Sequence, residues 1–208
     1  MKKINWNFLI FSCIVCLLPI CMGLYFYEEL PEKMAIHFNI ENQADNYASK
    51  NLTLFGLPLL MAAIQAFICI RSDINRNENE NPPKIIKITK WIVPLLSIIV
   101  YTLTILVGLE KTVDVGKIIL IISGTIFIAI GNYMPKMNYK DAIGFVKPIP
   151  DNEKTFKEMM RIMGYTFVIG GIAIIVSSFI SNKVAFITIL GLCVLLSAEN
   201  LYFPFKKN

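Results

Sequence analysis

The chain has 208 residues, of which 55% are hydrophobic and 17% charged, with a formal net charge of +5 and a mean hydropathy of +0.59. Soluble domains carry about 25% charged residues, so this composition excludes an ordinary soluble globular domain. The basic residues are scattered and form no cluster or stripe that would track phosphates, which excludes a nucleic-acid binder.

Six apolar stretches free of Lys and Arg follow one another: Trp6–Tyr27, Leu52–Ile70, Trp91–Leu109, Ile118–Met134, Ile162–Ile180 and Val184–Phe203. About 20 apolar residues in a helix cross a bilayer's hydrocarbon core. Backbone amides find no water there and must close their bonds within a helix. The expected fold is therefore an all-α integral membrane protein of six transmembrane helices. Its expected divisions are 1–70 (helices one and two with the loop between them), a mobile loop 71–90, and a four-helix half 91–208. The alternate segments 1–5, 71–90, 135–161 and 204–208 hold 15 Lys and Arg; 28–51, 110–117 and 181–183 hold 5. The positive-inside rule puts the first set, with both termini, in the cytoplasm. Lys2-Lys3 before an apolar run also suits a signal peptide, but no small residues mark a cleavage site. A retained helix is expected.

Cys13, Cys16, Cys21, Cys69 and Cys193 all lie in apolar stretches. They read as small hydrophobes, with no disulfide framework. Cys13-x-x-Cys16 lacks the polar setting and partner ligands of a redox or zinc motif. Pro19, Pro58 and Pro94 should each remove a hydrogen bond and kink a helix, leaving a carbonyl for neighbours to satisfy.

The loop 28–51 holds the only histidine. Met34, Ile36, Phe38 and Ile40 alternate with Ala35, His37 and Asn39, the period of a half-buried strand. Glu41 to Asn46 reads as a turn. A short extracellular strand or hairpin is expected on the helix ends. His37 either bonds a backbone carbonyl or Asp45 and holds the loop folded, or contacts a ligand directly. Histidine titrates near about pH 6.5, so a pH effect belongs to either role. One His with Glu41 and Asp45 falls short of the three ligands of catalytic zinc, so no metal and no cofactor is expected. Asn51-Leu52-Thr53 matches a glycosylation sequon, which the bacterial style of the chain sets aside.

Further along, Gln65 and Asn132 are uncharged polar residues expected to join helices by hydrogen bonds. Lys84, Lys87 and Lys90 before Trp91 fit anchoring at an anionic inner leaflet. In loop 135–161, Lys147-Pro148-Ile149-Pro150 should be extended. Asp151 or Thr155-x-x-Glu158 should cap a cytoplasmic amphipathic helix. Phe156, Met159, Met160 and Met163 share one face of it; Lys154, Lys157 and Arg161 share the other. It reads first as a lead-in to span five and second as a docking face for a regulator. Gly164, Gly170, Gly171 and Gly191 should let spans five and six approach closely. Glu199 and Asn200 lie in the last span, where a charge at depth is a functional candidate.

Two motifs carry a resemblance. Leu30-Pro31, His37-Phe38-Asn39, Asp45 and Lys50 resemble a domain of unknown function at the N-terminus of Gram-positive membrane proteins. Gly131-Asn132-Tyr133-Met134-Pro135-Lys136, with Asn138-Tyr139 and Ile143-Gly144, resembles the signature of the SdpI family. That resemblance implies a six-span immunity protein of the bacterial cell membrane, which protects a producing cell from a sporulation-delaying peptide toxin and signals through a repressor. It makes His37, Phe38, Asn39, Asp45 and Lys50 candidate toxin contacts. It makes Lys147, Phe156, Met159, Met160 and Arg161 candidate contacts for the repressor. Gly144-Phe145-Val146-Lys147-Pro148 departs from the family's Gly-Ile-Arg-Thr-Pro, and Asn42 stands near a family glycine.

The sequence shows no nucleophile–base pair, so no enzyme and no catalytic residue is expected. The expected partners are membrane lipids, a peptide toxin and a cytoplasmic repressor. The alternatives are a membrane sensor without immunity activity, or a small transporter, against which the spans lack a polar path.

Overall fold

A computed structural model of the chain describes residues 4–74, 84–139, 150 and 152–205. Among these residues, six helices are long and apolar enough to cross a membrane: Trp6–Tyr25, Leu52–Ile74, Lys84–Gly108, Val115–Lys136, Glu153–Ser178 and Asn182–Phe203. At about 1.5 Å per residue, each matches a hydrocarbon core about 30 Å thick. The chain has the make-up of a multi-pass membrane protein. The third helix begins at Lys84 and the fifth at Glu153, ahead of their apolar stretches. Hydropathy measures the part that suits lipid, whereas the helix continues through polar turns.

In chain order the elements are α1 (Trp6–Leu17), α2 (Ile20–Tyr25), β1 (Lys33–Phe38), β2 (Ala44–Ser49), α3 (Leu57–Ile74), α4 (Lys84–Gly108), α5 (Val115–Tyr133), α6 (Glu153–Ser178) and α7 (Asn182–Phe205). A π-helical turn, Leu52–Gly56, leads into α3. The chain forms two units, Met1–Ile74 with Thr89–Gly116, and Asn75–Ile88 with Lys117–Asn208. Most of α4 thus belongs with the first two spans, where the sequence reading groups it with the later ones.

The first unit is held by polar clasps at its prolines. Pro58 has no N–H for the carbonyl four residues back, Leu54, and the Tyr101 hydroxyl of α4 donates to it at 3.2 Å. Pro94 likewise frees the carbonyl of Lys90, and Gln65 Nε2 of α3 donates to it at 2.9 Å. Pro19 separates α1 from α2. There the Cys16 carbonyl accepts from Ser97 of α4 at 2.9 Å. The carbonyls freed by Pro58 and Pro94 are thus met by a side chain from another helix, which lets a kink persist in lipid. Gly23 makes room for one of them, since a Cβ there would collide with the Tyr101 hydroxyl. Beneath the hairpin, Leu30, Met34, Leu54, Tyr101 and Ile105 form the core.

The second unit packs through glycines and methionines. A Cβ on Gly171 would lie 2.5 Å from the Gly124 carbonyl, and one on Gly131 would lie 2.7 Å from that of Gly164. Gly124 and Gly131 of α5 therefore meet Gly171 and Gly164 of α6 in antiparallel order. Spans five and six, expected from sequence to form a close pair, do pack closely, and a further glycine-to-glycine contact joins spans four and five. Gly170 meets Leu192 of α7, while Gly191 has open space around it. Ile85, Ile86, Met134, Met137, Phe156, Met159, Met160, Met163 and Phe203 form this unit's core. The N-terminal turns of α6 are continuous with its membrane span. Asn152 caps the helix, its side chain accepting from Thr155 N at 2.8 Å. Asp151 lies outside the described residues.

Candidate functional site

The hairpin between the first two spans gathers most of the sequence-predicted site residues. β1 and β2 are antiparallel, with Ala35 opposite Tyr47, His37 opposite Asn46 and Phe38 opposite Ala44. The register slips on either side of His37, leaving Ile36 and Asp45 as the extra residues. Such bulges re-aim side chains. The strict two-residue alternation expected from sequence therefore fails: Met34 and Ala35 are both buried, and Ile36 and His37 are both exposed.

The bulges bring His37 beside Asp45. Nδ1 lies 2.5 Å from Oδ1, with the two side chains 65% and 43% exposed. Tip and base of the hairpin are fixed. Asn39 Oδ1 accepts from Glu41 N at 3.0 Å and Gln43 N at 2.9 Å, which closes the turn. Asn42 has φ of 62°, the left-handed backbone that asparagine tolerates. Its Oδ1 accepts from Gly116 N at 2.8 Å, tying the tip to the start of α5. Phe38 is half-buried.

Lys50 does not belong with the exposed candidates. It is buried, and its ammonium donates to the Tyr27 and Leu30 carbonyls at 3.3 and 3.1 Å and meets Glu32 at 3.0 Å. It also sits over the Tyr27 ring. With its donors spent inside the loop, Lys50 locks the base of the hairpin to the end of the first span. His37 and Asp45 remain as the polar pair presented outward, flanked by exposed Ile36, Ile40 and Tyr47.

The remaining candidates lie elsewhere. Gln65 is wholly buried and clasps α3 to α4, also reaching Cys69 Sγ at 3.3 Å; its Oε1 has no partner. Asn132, expected to join helices, is exposed on α5, because Gly131 and not Asn132 faces α6. Glu199 Oε1 accepts from Thr166 of α6 at 2.6 Å. Glu199 Oε2 and Asn200 Oδ1 are buried without partners. Phe156, Met159 and Met160 are fully buried in the second unit's core, so they pack helices together and present no docking face. Arg161 is exposed, and Lys147 lies outside the described residues.

One site escapes the sequence reading. Lys90 meets Asp73 at 2.6 Å with both side chains buried, and the second Asp73 oxygen accepts from Asn5 N at 3.0 Å. This joins the start of α1 to the end of α3 and to α4. Both residues read as loop by hydropathy, and the signal lies in letting the flanking helices run past their apolar stretches. Among the described residues, no group of three His, Cys, Asp or Glu side chains is placed to hold a metal.

A family model described as a domain of unknown function (DUF1648) matches residues 14–62. The matched stretch runs from within α1 through the hairpin into α3, contains Leu30-Pro31 and His37-Phe38-Asn39, and covers less than half of the chain. No curated protein and no solved structure matches.

Proposed function

We propose that this is an immunity protein of a bacterial cell membrane, which uses the hairpin on the outer side to intercept a secreted peptide toxin before it damages the bilayer. The observation that carries the reading is the hairpin itself. It is locked at its base by Lys50 and at its tip by Asn42, yet it presents His37 and Asp45 to solvent. A loop needed only as a connection between spans gains nothing from that rigidity, whereas a pre-organised surface binds without an ordering cost. The basic-residue asymmetry supports the outer placement. The resemblance of the His37-Phe38-Asn39 and Gly131–Gly144 motifs to six-span immunity proteins supports the activity.

The test is survival of a sensitive host that expresses the chain, challenged with a panel of secreted peptide toxins. Protection should fall with His37→Ala and with Asp45→Ala while the amount of protein in the membrane stays constant. Absence of protection against every toxin overturns the reading. The sensor reading, in which the chain holds a cytoplasmic repressor, loses the methionine face as its contact. It would rest on Arg161 and its neighbours, and co-purification of a partner encoded nearby separates it from immunity alone.

A further inference from the structure

We infer that the exposed hairpin face docks a peptide that is both cationic and amphipathic. Two features select that chemistry. The first is charge: residues 28–51 expose the carboxylates of Glu28, Glu29, Glu41 and Asp45, beside Glu32, which is paired with Lys50, and the exposed bases of the stretch are Lys33 and His37. Lys50, the remaining lysine of this stretch, is buried and already engaged. The surface therefore carries an excess of negative charge, and complementary charge raises encounter rates and rejects anionic partners. The second is apolar area: Ile36 and Tyr47 of the strands and Ile40 of the turn are large side chains left exposed, whereas Met34 of β1 is buried with Leu30, Leu54 and Tyr101. The bulge at Ile36 turns that side chain out of the core. A purely basic peptide would leave these apolar groups wet, and a purely apolar one would bury carboxylates without partners. A strand or helix with lysines on one side and leucines on the other satisfies both. The inference rests on the proposed function only in taking the peptide to arrive from the hairpin side.

The test uses the full chain in nanodiscs of zwitterionic phosphatidylcholine. The probe is a dye-labelled 14-residue Lys/Leu amphipathic peptide, followed by anisotropy against empty discs. Binding should exceed that of empty discs by about tenfold, and should fall about fivefold in Glu28→Gln/Glu29→Gln/Asp45→Asn and in Ile36→Ser/Tyr47→Ser. On the unaltered chain it should weaken severalfold as salt rises from about 0.05 to 0.3 M. A peptide with Glu for every Lys, and one with Ser for every Leu, should bind at the empty-disc level. Equal binding of the Lys and Glu peptides overturns the inference, as does affinity no greater than that of empty discs, which is the result if the apolar face merely lies in lipid. The salt and peptide comparisons on the unaltered chain decide the matter even where a variant fails to fold. Peptide binding without host protection overturns the immunity reading alone. Protection without charge-selective binding overturns this inference alone.

Discussion

The two units solve the same problem, holding helices together where lipid offers no hydrophobic gain, by opposite means. The first interrupts its spans at proline and sets a hydroxyl or amide from a neighbour at or beside each interruption: Ser97, Tyr101 and Gln65. The second brings α5 and α6 backbone to backbone at Gly124–Gly171 and Gly131–Gly164. Clasps are directional and hold bent helices at set positions, as a surface-presenting hairpin requires. Glycine contacts maximise van der Waals area and suit a frame. The unit that carries the candidate site is thus the one tied by individually removable hydrogen bonds, and the contrast can be broken one side chain at a time.

The largest effect should come from the frame. Gly171→Leu puts a side chain where even a Cβ would sit 2.5 Å from a carbonyl oxygen, so α5 and α6 must separate. A loss of about 3 kcal/mol, the upper end of ordinary overpacking costs, or more is expected because backbone must move, read as loss of the folded fraction in detergent-titrated unfolding. Gly191→Leu, with open space around it, is the control and should change little. If the two behave alike, the close-contact account of the second unit fails. Next comes the buried ion pair of the first unit. Lys90→Met strands Asp73 in a site where both side chains are about nine-tenths or more buried. A cost of about 3–5 kcal/mol is expected. Adding Asp73→Leu should return most of it, because the stranded charge and not the lost attraction is the main penalty.

Much of this frame is legible in the sequence. A run of apolar residues is a property of composition and needs no partner, so all six spans and the hairpin strand can be read directly. The kinks at Pro19, Pro58 and Pro94 are equally local. What cannot be read is pairwise. Nothing in the sequence tells that the carbonyl freed by Pro94 finds Gln65 or that Gly164 faces Gly131, because those pairs are set by helix rotation. Phe156, Met159 and Met160 show the same limit. Their spacing defines a face, but only packing decides whether that face meets a core or a partner, and here it meets Ile85, Ile86 and Phe203. At the site, alternation predicts a strand but not its two bulges, which depend on register with β2. Hence alternation assigns Ile36 to the wrong face, while the pairing of His37 with Asp45 is one of the two roles that the sequence leaves open.

A smaller effect tests the proline clasps directly. Tyr101→Phe removes the donor to the Leu54 carbonyl and should cost about 1 kcal/mol, given the modest value of single hydrogen bonds between membrane helices. Pro58→Ala gives that carbonyl an amide of its own helix. In the Pro58→Ala background, Tyr101→Phe should therefore cost distinctly less, and the difference is the coupling read from a double-mutant cycle. Additive costs would mean that the hydroxyl and the proline are unrelated, and the clasp account of the first unit would fall.

The smallest stability effect should be at the site, and there its smallness is informative. The His37–Asp45 pair is exposed on both sides, and exposed ion pairs contribute between about 0 and 1 kcal/mol. His37→Ala should leave the unfolding midpoint nearly unchanged. Lys50→Met, which releases two carbonyls and Glu32 at the hairpin base, should lower it clearly. Both substitutions should weaken protection of a sensitive host, but for different reasons: Lys50→Met because the platform loosens, His37→Ala because a contact is lost from an intact platform. Limited proteolysis within 28–51 separates the two, with faster cleavage expected only for Lys50→Met. Faster cleavage of His37→Ala as well would make the pair a strut of the hairpin, and the contact role would then pass to Ile36 and Tyr47 beside it.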